Sequence, residues 1–377
     1  MRIFVVTRSY PAPGDLYKYP FVHRRVVAYR AAGHEVRVFR PDAAQPLSSH
    51  DFDGISCWTG GAEALASFAA EWKPDVVAVH GLSEAMWDAL APIASRFPVR
   101  AWLHGSEIPA FMRHKSVVLP EPDRTAALRQ VEGRCRFWRR LLGDLPARLK
   151  LVFVSKASVD LAREDLASVL DEDQYEVVPN PVDTDLFAYR EKAADDRYSV
   201  LLIRPFDSRT YANDLAVEAI GKLVSRGPSG RLRFTIIGDG PLFDQTLAPL
   251  ANVPNVSISR RFLRQEEIAR EHARHGIFLV PTRLDTQGLS RDEAMASGLV
   301  PVTNAIPAVR EFVDDRCAAL APPDDSDSLA DRIAEMIDRP PLFLDRSRAA
   351  AQRIRRERSN AQIIPRELRL LAEAADA

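Results

Sequence analysis

The sequence holds only three cysteines, Cys57, Cys135 and Cys317, in 377 residues. They are too few and too scattered for a disulfide framework or a zinc site, and a reducing compartment is expected. No apolar run reaches the roughly eighteen residues a membrane span requires, and the first residues lack a signal-peptide pattern. A cytoplasmic protein is the expectation. No repeat of solenoid length is present. An excess of one charge is also missing: 51 Lys and Arg against 52 Asp and Glu leave a formal net charge of -1, which removes any global pull toward nucleic acid. What is present is 46% apolar and 27% charged, the balance of a folded chain long enough for two domains, each with its own buried sheet. Arginine greatly outnumbers lysine and alanine is abundant, as in GC-rich bacterial genomes, a bias that carries no function.

A short apolar run, a polar loop and an amphipathic segment recur along both halves. Residues 2–7 are a continuous apolar run, a loop rich in Pro and Gly continues through Gly14, and an amphipathic stretch from 19 to 32 ends at Gly33 before the run 35–40. This is a β-α-β unit with a parallel pair of strands. Further strands are expected at 55–58, 75–80, 99–104 and 149–155, and a second series opens at 199–203. Residues 189–198 between the two series are charged and without an apolar period. The boundary is expected there, with one domain over 1–185 and another over 196–358.

In open α/β sheets the loops after the strands form the functional edge. His80-Gly81 and His104-Gly105-Ser106-Glu107 both close expected strands. Arg8, Tyr17, Lys18 and Arg24 follow the first strand and are candidates for contact with an acceptor; a solvated polar loop is the competing reading for each. In the second half, the strand at 199–203 delivers Arg204, with Arg209 five residues on, and the pair can clamp a diphosphate.

The stretch 281–302 organises the rest. A buried strand at 276–280 runs into a polar loop ending at Gly288, and a helix is expected from Leu289 to Ser297, stopped by Gly298. Such a turn puts unpaired N–H groups and the positive end of the helix dipole at the mouth of a sheet, where phosphate binds. Asp285 and Glu293 flank the same spot. Two carboxylates beside a phosphate need other partners, and a vicinal diol supplies them. The combination reads as a nucleotide-sugar site.

The segment from Asp285 to Gly298, with Glu293-Ala294-Met295-Ala296-Ser297-Gly298 inside it, resembles the E-x7-E signature of the retaining glycosyltransferases of family 4, also called glycosyl transferases group 1. Asp285 stands where the family has Glu. The resemblance implies an α/β protein of GT-B fold, two Rossmann-like domains facing each other across a donor and acceptor cleft. It implies that Asp285 and the backbone around Gln287, Gly288, Leu289 and Ser290 hold the transferred sugar, with Glu293 on the ribose. Arg204 and Arg209 match the family's Arg and Lys, with Arg in place of Lys. The segment 234–241, containing Gly238, looks like its V-G-x-G-P turn beside the nucleotide, and 256–262 like the strand and loop that frame the base. Residues 177–183 resemble P-N-G-V-D, with Pro181 for Gly. In the first domain His104 matches the histidine after the fifth strand, which faces the donor sugar; His80 reads equally as a structural histidine. Gly14 stands alone where the family has paired glycines near the donor phosphate. The last helix, within 359–377, would return to the first domain, and closure would hinge near residue 190.

Arginine recurs at 124, 129, 134, 136, 139, 140 and 148 among Leu128, Val131, Phe137, Trp138, Leu141 and Leu142. That stretch reads as a docking face for an anionic membrane or a phosphorylated acceptor, or as an ordinary amphipathic helix. The expected activity is metal-independent, retaining transfer of a hexose-type sugar from a nucleoside diphosphate sugar, a UDP-sugar first, to a surface-glycan or lipid-linked saccharide, with no cofactor. A GT-B nucleotide-sugar epimerase and a degenerate sugar-nucleotide-binding protein are the alternatives; a dehydrogenase ranks last, because no complete G-x-G-x-x-G follows a strand.

Overall fold

The computed structural model describes residues 1–14, 16, 18–108, 123–167, 170–226 and 230–376. These form two units, one containing the described residues up to 108 with 123–180 and 363–376, the other the described residues of 181–362. Tyr17 lies outside the described residues.

The first unit is built on an eight-stranded sheet of β1 (Arg2–Thr7), β2 (Glu35–Pro41), β3 (Ser48–Phe52), β4 (Ile55–Gly60), β5 (Val76–His80), β6 (Val99–Leu103), β7 (Leu149–Phe153) and β8 (Tyr175–Val177). Their order is β3-β4-β2-β1-β5-β6-β7-β8. Central β1 pairs in parallel on both sides, with Ile3 opposite Val36 and Val76. Burial on both faces is why it reads as one unbroken apolar run. The exception to the parallel rule is β3, antiparallel to β4. Its sequence, SSHDF, is polar and mostly exposed, so apolar patterning passes over it. The signal that could have found it is Asp53-Gly54, both at positive φ (51° and 72°), a two-residue hairpin turn. With β3 counted, His104 follows the sixth strand rather than the fifth.

Helices α1 (Pro20–Ala31), α2 (Ala62–Trp72), α3 (Glu84–Ala94), α4 (Asp123–Gly143) and α5 (Lys156–Leu166) complete the connections described. On α4 the apolar side, including Val131, Phe137, Trp138 and Leu141, is buried, whereas Leu128 is exposed. Three of its arginines are used inside the unit: Arg134 Nη1 donates to the Ser106 carbonyl at 2.6 Å, Arg139 Nε to the Leu166 carbonyl at 2.8 Å, and Arg140 pairs with Glu84 at 2.7 Å. Among the described residues no helix is long and apolar enough to cross a membrane.

The second unit has a six-stranded parallel sheet of β9 (Ser199–Ile203), β10 (Arg233–Gly238), β11 (Val256–Arg260), β12 (Ile277–Leu279), β13 (Val300–Asn304) and β14 (Ala319–Ala321), in the order β11-β10-β9-β12-β13-β14. Its helices are α6 (Asn213–Ser225), α7 (Phe243–Leu247), α8 (Gln265–Arg274), α9 (Leu289–Ala296), α10 (Pro307–Phe312), α11 (Ser326–Asp338) and α12 (Pro340–Glu357). Helix α13 (Asn360–Ala375) starts in this unit, and from Ile363 onward belongs to the first.

The division falls at Asn180 and Pro181, before the charged stretch 189–198. That stretch is built into the second unit. Lys192 Nζ donates to the His272 carbonyl at 2.7 Å and Arg197 Nε to the Ile337 carbonyl at 2.8 Å. Both carbonyls lie in the last turns of helices, where cations are favoured. Two of the charges that suggested a linker there, Lys192 and Arg197, are helix-end partners. Just inside the division the chain runs beside itself: Val182 N–H donates to the Arg358 carbonyl and Asn360 N–H to the Val182 carbonyl, each at 2.8 Å.

Candidate active site

Strand order reverses once in each sheet, between β1 and β5 and between β9 and β12. Loops diverge there and leave a crevice at the carboxyl ends, the usual place for a ligand in such sheets. In the second unit those ends carry Arg204, after β9, and the loop 281–288, after β12.

Asp285 Oδ1 accepts from the N–H groups of Thr286, at 2.8 Å, and Gln287, at 3.1 Å, which folds the loop back on itself. Gly288, at φ 89°, then turns the chain into α9, a left-handed conformation costly for other residues. No side chain caps α9. The first-turn N–H groups are thus left for a ligand or solvent. Glu293, 5% exposed, sits one turn in, while Leu289 and Ser290 are half-buried. The Gln287 side chain turns inward and donates to Asp292 Oδ2 at 3.1 Å, so only its backbone is placed for donor contact.

Behind this turn is a buried charge network that sequence reasoning missed. Asp292, fully buried, accepts from Arg291 Nη2 at 2.8 Å and pairs with Arg358 Nε at 3.2 Å. Arg291 also donates to the Gln287 carbonyl. The network ties the loop, α9 and the end of α12 together.

Arg204 is buried, its Nη2 donating to the Pro281 carbonyl at 2.9 Å and its guanidinium 5.2 Å from the Tyr211 ring. Burial lowers its pKa and nearby Asp285 opposes this, leaving a cation at the sheet edge. Arg209 is exposed, on a turn of 3-10 helix. It lines a depression of about 240 Å³ with Ser208, Asn213, Asp214, Gln245 and Thr246, whose walls include neither Arg204 nor Asp285. The expected two-arginine clamp is therefore not drawn to one cavity. Arg283, also unnoticed in the sequence, braces this turn: it pairs with Asp214 at 2.8 Å and Asp324 at 2.6 Å and donates to the Arg209 carbonyl at 2.7 Å. Gly238 has a packing role. A Cβ there would stand 2.0 Å from the Arg204 carbonyl oxygen, so its absence lets β10 approach the backbone that carries Arg204.

In the first unit His80 and His104 close β5 and β6 side by side. His80 Nδ1 and His104 Nε2 are 3.0 Å apart, and His80 stacks on Trp102. Burial holds both imidazoles well below their usual pKa, and their mutual proximity lowers His80 further. Two neutral rings then share one proton at this contact. Glu107 Oε2 accepts from the His104 and Gly105 N–H groups at 2.9 and 2.7 Å and holds the turn. Arg8 is exposed, with its N–H bonded to the His80 carbonyl. Gly14 and Lys18 are exposed and Arg24 is half-buried. Arg25 was overlooked: fully buried, it donates to Glu367 at 3.0 Å and Asn180 at 2.9 Å. It lies on the helix face of Val22, Val26 and Tyr29, a periodicity that would have singled it out.

Acidification is expected to destabilise the fold. His80 and His272 are 0% and 1% exposed, and burial holds His272 down to about 3. Below the ordinary imidazole value of about 6.5 the unfolded chain takes up protons that these groups refuse when folded, so stability falls with pH. For His272 the loss runs from about pH 6.5 to about 3, at about 1.4 kcal/mol per pH unit. Urea unfolding from neutral pH to about pH 5 measures it. His272→Asn is expected to flatten the slope by roughly one proton; an unchanged slope would remove His272 from the account.

Comparison with known proteins agrees with this architecture. A family model described as Glycosyltransferase Family 4 matches residues 21–186, and one described as Glycosyl transferases group 1 matches residues 198–339. No curated protein sequence matches the chain. Among solved structures, sucrose-phosphate synthase from Thermosynechococcus elongatus is similar at TM-score 0.74 and 15% identity, covering 99% of this chain and 98% of that one. Anabaena HepE in complex with UDP-glucose gives TM-score 0.71 and 16% identity over 99% of this chain and 100% of that one. A glycosyltransferase from Rickettsia africae gives 0.71 and 15%, over 99% and 98%. With one family model on each parallel-sheet half and whole-chain likeness in fold, the chain belongs to the family 4, group 1 glycosyltransferases of GT-B fold.

Proposed function

We propose that the protein transfers a hexose-type sugar from a nucleoside diphosphate sugar, with UDP-sugar as the donor, to a hydroxyl of a surface-glycan or lipid-linked saccharide, with retained anomeric configuration. The observation that carries this reading is the second unit's switch point, where Arg204, the uncapped start of α9, Asp285 and Glu293 meet the requirements of a diphosphate joined to sugars. Arg204 and the α9 amides take the charge that develops on the departing diphosphate. Electrostatic stabilisation of that group is the larger catalytic contribution and lets the reaction proceed without a metal. Asp285 and Glu293 accept from sugar hydroxyls. Arg209 joins only if its exposed side chain turns toward the diphosphate. HepE, bound to UDP-glucose, supports the choice of UDP. The acceptor side falls to the first unit, with His104 positioning the sugar and Arg8, Lys18 and Arg24 near the acceptor. The protein works in the cytoplasm, with α4 available for peripheral contact with an anionic membrane.

Calorimetric titration with UDP, GDP, ADP and CMP, with and without Mg²⁺, tests the donor class. UDP is expected to bind without metal and to raise the melting temperature by mass action. Binding by none of the four would leave a two-lobed protein without the proposed chemistry, and UDP-sugar turnover without any acceptor would indicate an epimerase.

A further inference from the structure

We propose that the first unit holds a subsite for an acidic saccharide, a sugar bearing a phosphate ester or a uronic carboxylate, whose anionic group lies between Arg8 and Arg134. This rests on the reading that the first unit takes the acceptor. The place is a cavity of about 470 Å³ at the carboxyl edge of the sheet, lined by Arg8 after β1, Leu82 and Ser83 before α3, Glu107 after β6, and Arg134 and Trp138 of α4. Its size suits a small ligand, for which pockets of about 300–1,000 Å³ are usual.

Two arginines line this one cavity. Burial first and the charge of Arg8 second lower the Arg134 pKa, with Glu107 opposing them. Among the described residues neither arginine forms an ion pair. Arg134 is fixed by its Nη1 bond to Ser106, which leaves the rest of its planar fork to receive an oxyanion. The positive end of α3 adds to the same field, its cap being Ser83. The acidic groups nearby offset it only in part: Glu84 is paired with Arg140, and Glu107, whose charge does support Arg134, spends Oε2 on two backbone N–H groups.

The remaining lining points to a sugar rather than a bare anion. Asp88, exposed on α3 with Glu84 one turn before it, would repel free phosphate yet accept bonds from hydroxyls. Trp138 spends its indole N–H on the Glu107 carbonyl at 2.8 Å and, almost wholly buried like Leu82 and Phe137, gives the cavity an apolar floor beneath the arginines.

Titration of glucose 6-phosphate, glucuronate, glucose and inorganic phosphate into the full-length protein, with UDP in excess to occupy the donor site, tests the subsite. One or both sugar acids are expected to bind at least about tenfold more tightly than glucose and than inorganic phosphate, the preferred one telling ester from carboxylate. Arg8→Gln is expected to abolish that preference and Arg8→Lys to restore part of it; Arg134→Gln, read beside a melting curve, gives the second test. Equal affinity for glucose and the sugar acids, inorganic phosphate binding as well as either, no binding at all, or full affinity in Arg8→Gln would overturn the proposal. UDP titrated alone reports separately on the donor reading: sugar-acid binding without UDP binding would sink that reading and leave the subsite standing.

Discussion

Arg204→Ala is expected to lower kcat/KM for sugar transfer about 100- to 1,000-fold, the loss typical when one preorganised donor to a developing negative charge is removed. The loss is expected mainly in kcat, because the diphosphate gains charge as it departs and Arg204 acts most strongly at that stage. The residue is well suited to this. It is buried, carries Asp285 as a nearby opposite charge, and is anchored through one nitrogen to the Pro281 carbonyl while its Nε has no protein partner. Steady-state kinetics with a melting curve as control decides the matter: a loss below about threefold in a folded variant would place Arg204 outside the reaction. Arg209→Ala is the companion measurement. If UDP affinity is unchanged, the diphosphate is held without Arg209, in keeping with its place in a separate depression.

Asp292→Ala is expected to cost about 3–5 kcal/mol, the largest stability effect of any single change near the site, because it strands Arg291 and Arg358, 2% and 3% exposed, without their shared carboxylate. A buried ion group can be replaced as a whole at little cost, so Arg291→Met, Asp292→Leu and Arg358→Met together are expected to recover much of the loss. Denaturant unfolding of the single and triple variants checks both statements. A single-variant loss under about 1 kcal/mol would mean that water reaches the arginines and the network is not sealed.

The unequal legibility of the two halves has physical causes. Strand β1 and the turn into α9 were readable because each states one requirement loudly: burial on both faces in the first, and a glycine followed by a periodic helix in the second. Strand β3 was not, since an exposed edge needs no apolar residues and only its Asp-Gly turn betrays it. Arg24 was singled out although Arg25 is the residue that turns inward, and the reason is instructive. Charge was read as solvent-seeking, whereas a charge on an apolar stripe signals a buried partner elsewhere. Glu367, fully buried on the α13 face of Ile363, Ile364, Leu370 and Leu371, is that partner. Spacing along the chain placed Arg209 five residues from Arg204, and what it could not show is the 3-10 turn, braced by Arg283, that sets where the Arg209 backbone goes.

The paired backbone at Val182 and Ser359 bears on the order of assembly. Once residues 181–362 have folded, their two ends are pinned beside each other, and the first unit no longer has to gather its early and late segments across a long free loop. Closing a loop of that length costs roughly 4–5 kcal/mol by logarithmic chain scaling. Arg25 must wait for Glu367, which arrives only with the final helix. The chain is thereby biased to complete residues 181–362 before the unit that contains its N-terminus is sealed.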